Sequence, residues 1–407
     1  MRDIDSQTAG FRITGGWPLL LLAVVVTFVD SVGYGVVVPV LPAYAENLGL
    51  SDFQIGFLFA MFAIALVIGA VPIGMLSDRF GRKPFILFGM FAMSGAFVFY
   101  AFAESYAVLL VARALDGLTA AATWVAAMAL VSESFDRDEM GEKMGFLMAT
   151  SAVGGIAGPL LGGVLSDALG YRAPFYAIAG GCLVAGAFSV FLAEERSGRK
   201  RMRLSFKRML RPVLANRTVL LASFLMVVST LGLGLLEPTF PLYLEENFSM
   251  SPTGIGLIFG VMMLFYGATS PAAGKLSDSL GRKKPIMAGL LATAVLMPFL
   301  AVTQIVPVLF ILMGAVGVTF ALFSTPALPL VTDALPEISA GEDAPAGTVF
   351  GLMNLFFSLG FALGPLIGGA IMGWAGLAWA LVFCSTIMAV AGVVILILLP
   401  NTTQPPG

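Results

Sequence analysis

Gly74-Met75-Leu76-Ser77-Asp78-Arg79-Phe80-Gly81-Arg82-Lys83-Pro84 is a short charged turn set between two long apolar runs. It returns 200 positions further on (74 to 274) as Gly274-Lys275-Leu276-Ser277-Asp278-Ser279-Leu280-Gly281-Arg282-Lys283-Lys284-Pro285. A repeat on that scale marks two related halves. The likeness spreads outward from the turn. Pro39-Val40-Leu41-Pro42-Ala43-Tyr44 matches Pro238-Thr239-Phe240-Pro241-Leu242-Tyr243, and Ile55-Gly56-Phe57-Leu58-Phe59 matches Ile255-Gly256-Leu257-Ile258-Phe259. Gly158-Pro159-Leu160-Leu161-Gly162-Gly163 matches Gly364-Pro365-Leu366-Ile367-Gly368-Gly369. Halves that share one orientation imply a pseudo-two-fold axis along a membrane normal, with a substrate site near the midplane between them.

Composition puts the chain in a bilayer. Of its 407 residues, 58% are hydrophobic and 11% charged, where a soluble domain carries about 25% charge. So few charges cannot cover the surface of a compact soluble fold. The net charge of -2 argues against nucleic acid as a partner. Histidine is absent, which removes imidazole chemistry, and no metal site is expected. Cys182 and Cys384 lie far apart in apolar runs and read as buried free thiols. Without His, paired Cys or a catalytic spacing, an enzyme is not expected, and a sensor would need a signalling domain that the chain does not contain.

A spanning helix needs about 20 apolar residues, and helices satisfy their own backbone hydrogen bonds in lipid. Twelve runs qualify: 18–42, 54–76, 85–103, 107–131, 144–165, 174–193, 218–242, 254–275, 285–303, 307–331, 347–371 and 376–399. The first is too long for a signal peptide. The expected fold is all-α and membrane-integral, with twelve spans in two pseudo-symmetric six-helix bundles, 1–193 and 218–407. Residues 194–217 form a basic linker holding Arg196, Arg199, Lys200, Arg201, Arg203, Lys207, Arg208, Arg211 and Arg217. Cations also fill the loops on the same side as the repeated turn, whereas the opposite loops hold Arg172 and a set of acids. This positive-inside bias predicts cytoplasmic termini and a cytoplasmic repeated turn.

Charges inside the apolar runs carry the chemistry. Asp30 sits deep in the first run, where a charge costs about 2.5–3.5 kcal/mol on insertion scales. A carboxylate meets that cost by taking up a proton, by pairing, or by facing water. A proton and a cationic substrate can then compete for one site. A structural reading, in which Asp30 bonds backbone at a helix break near Gly33 and Gly35, stands beside it. Glu237 is the counterpart in the second half. It precedes Pro238, which removes a ladder hydrogen bond, so a broken helix lining a cavity is expected there. Arg113 and Asp116 are three apart on one helix face. They read as a structural ion pair, or as a pair that protonation of Asp116 would release. Asp78, Arg79, Gly81 and Arg82, with Asp278 and Arg282, read as conformational rather than substrate-binding. Gly81 permits the turn, Asp78 can face a helix N-terminus in the other half, and Arg82 can pair with an acid. Gly158 and Pro159 let one helix approach its neighbour closely and bend. Tyr34, Tyr266, Asn354 and Phe361 are candidates to line the cavity, with aromatic faces suited to a cation.

These motifs resemble the major facilitator superfamily over nearly the whole chain. Gly74 to Pro84 is similar to its signature loop between helices two and three. Arg113 in Ala112-Arg113-Ala114-Leu115-Asp116-Gly117 is similar to its helix-four arginine. Gly154 to Gly163 resembles the helix-five motif of the drug–proton antiporter branch (the 12-helix DHA1 type). Asp30-Ser31-Val32-Gly33-Tyr34-Gly35, with Pro39 and Pro42, resembles helix one of tetracycline exporters and vesicular monoamine transporters. Leu236-Glu237-Pro238-Thr239-Phe240-Pro241 and Tyr266 resemble the monoamine transporters. Those proteins place further carboxylates where this chain has Ser324 and Asn354, and a lysine where it has Phe62. Their large loop between helices one and two is missing, which suggests a prokaryotic relative.

The resemblance implies proton-driven antiport of cationic or amphipathic small molecules such as amines or drugs, by alternating access. The expected partners are that substrate, protons and the lipid bilayer. No cofactor is expected beyond the proton as coupling ion, and a monomer in the cell inner membrane should suffice. The reading left beside it is a facilitator or proton symporter of a neutral or anionic metabolite.

Overall fold

A computed structural model describes residues 16–135, 137–192, 216–327, 329–330 and 346–399; it describes their side chains except at Val71, Asp78, Arg137, Asp138, Leu192 and 346–354. The predicted linker over 194–217 therefore falls almost wholly outside the described residues, as do the side chains of Asp78 and Asn354. Among the described residues, twelve helices are long and apolar enough to cross a membrane. They are α1 (Trp17–Asn47), α2 (Asp52–Phe80), α3 (Arg82–Ala101), α4 (Tyr106–Ser134), α5 (Arg137–Leu169) and α6 (Ala173–Leu192), then α7 (Arg217–Phe248), α8 (Pro252–Leu280), α9 (Lys283–Val302), α10 (Val306–Ser324), α11 (Ala346–Ala375) and α12 (Leu377–Leu398).

Local chemistry explains where several begin. Ser51 and Gln54 form a capping box at the start of α2. Ser105 caps α4, Ser251 caps α8, and Asn216 accepts from the backbone of Thr218 and Val219 at the start of α7. Between α2 and α3, Gly81 stands at φ 102°, ψ 159°, a region closed to residues with a side chain. Gly281 repeats it at φ 82°. Gly81→Ala should therefore cost about 1–3 kcal/mol. The check is thermal unfolding in detergent, where an unshifted midpoint would mean that the turn relaxes freely.

The expectation of a broken helix at Pro238 is corrected. α1 runs unbroken through Pro39 and Pro42, and α7 through Pro238 and Pro241. A proline removes one bond and crowds the carbonyl four residues earlier. The ladder resumes beyond each of the four prolines.

The halves are built alike. α5 lies along α1, and α11 along α7. A Cβ on Gly35 would strike Pro159 at 2.7 Å, and one on Gly234 would meet Pro365 at 3.0 Å. α4 crosses α2 where Gly117 meets the Phe62 carbonyl, and α10 crosses α8 where Gly317 meets the Met262 carbonyl. Such bare contacts let backbones approach, which is how spanning helices gain packing without a hydrophobic driving force. Two large apolar cores result, beside a smaller cluster of Leu20, Ala23, Ala127, Val131, Phe135 and Leu147. One gathers Leu22 to Ala185 and takes in Leu242 and Met372; the other gathers Val219 to Leu399 and takes in Val38.

The halves meet along two seams, α2 with α11 and α5 with α8. Both are tightest on the face away from the Gly81 and Gly281 turns, called here the far face. There Gly56 lies on the Pro365 carbonyl, Gly256 on the Pro159 carbonyl, and Gly369 on Asp52. Toward the turn face, Cβ atoms on Gly141, Gly145 and Gly267 would meet nothing within 4 Å.

Candidate functional site

Buried ionisable groups gather where α1, α2, α4, α7 and α11 converge. Arg113 on α4 is 0% exposed, Asp116 1%, Glu237 on α7 3% and Asp30 on α1 9%. Arg113 Nη1 lies 3.1 Å from Asp116 Oδ2, so the expected pair is formed. Tyr100 of α3 donates its hydroxyl to the same oxygen at 3.2 Å. Around the guanidinium stand the rings of Phe62, Phe59 and Tyr34, with centroids at 4.8, 5.0 and 5.4 Å. Arg113 Nε and Nη2 have no hydrogen-bond partner among the described residues, nor does Asp116 Oδ1. The aromatic faces take over part of the solvation that water would supply, at up to ~2 kcal/mol for a desolvated cation–π contact.

Tyr34 ties this cluster to the second half. Its ring faces Arg113, while its hydroxyl donates to Glu237 Oε2. The same ring contacts Phe62 (5.0 Å) and Phe361 of α11 (5.9 Å), and Phe361 stacks on Phe357 at 5.1 Å. Asp30, one helical turn before Tyr34, faces inward to α4 and accepts from Thr123 Oγ1 at 3.0 Å. Thr123 also lies within bonding distance of the Thr119 and Ala120 carbonyls. Its single proton can go to only one acceptor, so the Asp30 contact is readily exchanged.

The structure thus brings together Arg113, Asp116, Tyr34, Glu237 and Phe361, with Asp30 one turn away. Tyr266 sits apart between α8 and α10, accepting from Ser324 Oγ at 3.4 Å. Asn354 is on α11, with its side chain outside those described. Sequence reasoning missed Tyr100, Thr123 and Phe59 as members of the cluster. No periodicity marks them, because each reaches its partner from another helix. Phe62 was visible only as the residue standing in for a lysine.

The turn residues form a separate group. Arg82 Nη2 pairs with Glu133 of α4 at 2.7 Å, and its Nη1 donates to Ser77 Oγ at 2.6 Å. Arg282 donates to Ser277 Oγ at 3.3 Å and pairs with Asp278 one turn back. Arg79 is exposed, with its guanidinium 5.3 Å from the Phe80 ring. These contacts brace each turn within its own half. A contact from Asp78 to the other half would lie outside the described side chains. Gly158 and Pro159 lie at the α1–α5 crossing, where Gly158 rests on the Val32 carbonyl and Gly35.

Twelve spans in two like-built halves, with charge buried at their junction, define a membrane transporter rather than an enzyme. The family model of the Major Facilitator Superfamily matches residues 23–232 and 222–407, and the chain belongs to that superfamily. Among curated proteins it is similar to Multidrug resistance protein 2 of Bacillus subtilis, at 28% identity over 84% of this chain and 86% of that one. It is also similar to the human synaptic vesicular amine transporter, at 26% identity over 88% of this chain and 68% of that one. Among solved structures, a bacterial homolog to the human lysosomal transporter Spinster, in an inward-facing and unoccupied conformation, superposes with a TM-score of 0.82. That match has 17% identity and covers 97% of this chain and 100% of the other, so it speaks for the fold alone.

Proposed function

We propose that this transporter exports cationic or amphipathic small molecules, amines or drugs among them, in exchange for protons. The observation that carries the reading is the Tyr34–Glu237 hydrogen bond across the halves, beside the buried acids Asp30, Asp116 and Glu237 and the buried Arg113. Embedded acids give a cation and a proton the same place to bind, so the two can alternate. Relatives named as multidrug and amine transporters support the substrate class. Asp30 and Glu237 would share cargo and proton. Arg113 and Asp116 would assist coupling, and Tyr34, Phe62 and Phe361 would offer aromatic faces to the cargo. Tyr266 and Asn354 would line the cavity toward the second half.

The positive-inside bias places the turn face in the cytoplasm. The tight far face then corresponds to a form open to the inside, in which the Pro159 carbonyl lies against Gly256 in the closed seam. The setting proposed is a prokaryotic inner membrane with both termini inside. One chain holds both halves, so a monomer suffices.

The test is uptake of a fluorescent cation into proteoliposomes under an imposed pH gradient, with proton movement followed by a trapped pH dye. Cation uptake that drives protons the other way, and that a protonophore abolishes, is the expected result. Cation movement indifferent to the gradient would sink the antiport reading. Flux of a neutral or anionic metabolite instead would favour the facilitator or symporter reading, for which the open nitrogens of Arg113 are the relevant feature.

A further inference from the structure

The far-face seam holds one polar bond between the halves that the repeat does not duplicate. α2 and α8 start at equivalent places, each lying against a helix of the other half. At α2 the start is finished from within, by the box of Ser51 and Gln54. At α8, Ser251 Oγ accepts from the Gly254 N–H at 3.3 Å, and a second acceptor comes from α5 in the other half. Asp167 Oδ2 accepts from the Thr253 N–H at 3.0 Å. The residue of α11 equivalent to Asp167 is Gly373, four positions after Gly369 as Asp167 is after Gly163. Gly373 has no group to offer the start of α2.

A helix start presents unpaired N–H groups and a partial positive charge. A carboxylate placed there satisfies both. Because Asp167 and Thr253 belong to different halves, their bond lasts only while the far face is shut. Gly163, one turn below, presses α5 onto the same loop: a Cβ there would meet Thr253 Cα at 2.7 Å. The bond thus sits over a contact with no side chain to hold it. We infer that Asp167 is a positioning residue that clamps the α5–α8 seam and so biases the transporter toward the form closed at the far face. The bias is independent of the cargo and of the coupling ion. The opposite α2–α11 seam lacks this carboxylate, so the far face should part less readily on the α5–α8 side.

Electron–electron distance measurement on the full chain in lipid nanodiscs tests this. Nitroxides go at Phe102 and Gln304, exposed far-face positions in opposite halves, with Cys182 and Cys384 replaced by alanine. D167A should raise the ratio of long to short distances about two- to thirtyfold, the range that matches loss of an N-cap acceptor. D167N, which keeps an acceptor oxygen without charge, should fall between. G163A should also lengthen the distances, by wedging the seam. For cargo entering from the turn face, D167A should raise the apparent KM more than it lowers the maximal rate, since fewer molecules are competent to bind. Thermal unfolding shows whether D167A folds, and D167N carries the test if it does not. Distances unchanged in the folded variant, while G163A lengthens them, would overturn the clamp. The distances do not depend on proton coupling, so failure here leaves the proposed function standing, and the reverse holds too.

Discussion

Gradient-driven efflux is expected to fall by roughly 30- to 3,000-fold in Asp30→Asn and in Glu237→Gln. The figure comes from the ~2–5 kcal/mol lost when one partner of a buried, hydrogen-bonded charge pair is removed, at about 1.4 kcal/mol per decade. Both substitutions keep shape and an acceptor oxygen, so Thr123 can still donate to position 30 and Tyr34 to position 237. Only the charge and the exchangeable proton are gone. Counterflow of labelled against unlabelled cargo, which needs no net proton movement, separates the roles. A variant that has lost coupling alone keeps counterflow; one that has lost cargo binding does not. On the proposed reading the cargo role falls first to Glu237, which faces the aromatic seam, and the coupling role first to Asp30, which is turned into α4. Undiminished efflux by both variants would refute both assignments.

Arg113→Met should be the most destabilising single change at the site. It strands the Asp116 carboxylate, 1% exposed, with only the Tyr100 hydroxyl for company. Breaking a buried pair by removing one member costs about 3–5 kcal/mol. Three cation–π contacts go with it. Replacing both members by apolar residues of similar volume, as Arg113→Met with Asp116→Leu, removes the stranded charge and should recover most of the loss. Thermal unfolding of the two single variants and the double variant in one detergent measures this as a cycle. A double variant no more stable than Arg113→Met would show that the pair's partners elsewhere, not the pair, carry the energy. Efflux by the stable double variant then decides between the two readings of the pair. Retained proton-driven transport makes it structural; stability without coupled transport makes it part of the coupling.

Much of the architecture was legible in the chain because lipid leaves little choice. A backbone crossing oil must bond to itself, so each long apolar run had to be a helix, and a charged turn that recurs 200 positions on marked two like halves. The same logic exposed Asp30, Arg113, Asp116 and Glu237, since ionisable groups in such runs are costly and stand out. Their partners were not legible. Tyr34 reaches Glu237 across 203 positions, Thr123 reaches Asp30 across 93, and Thr253 reaches Asp167 across 86. No local pattern encodes such pairs, because each depends on which helix faces turn together. The prolines teach the same lesson. Pro238 announced a break, yet α7 continues, and α11 packs its own Pro365 against the bare position at Gly234.

The sequence by itself determined the number of spans, the twofold plan and which charges lie in the membrane, all of which follow from the cost of putting polar groups in hydrocarbon. Only the tertiary structure decided that Glu237 joins the halves through Tyr34, that Asp30 turns into its own half, and that one seam carries a carboxylate clamp. Those outcomes rest on directional hydrogen bonds between helices far apart in the chain, and direction exists only once the helices are packed.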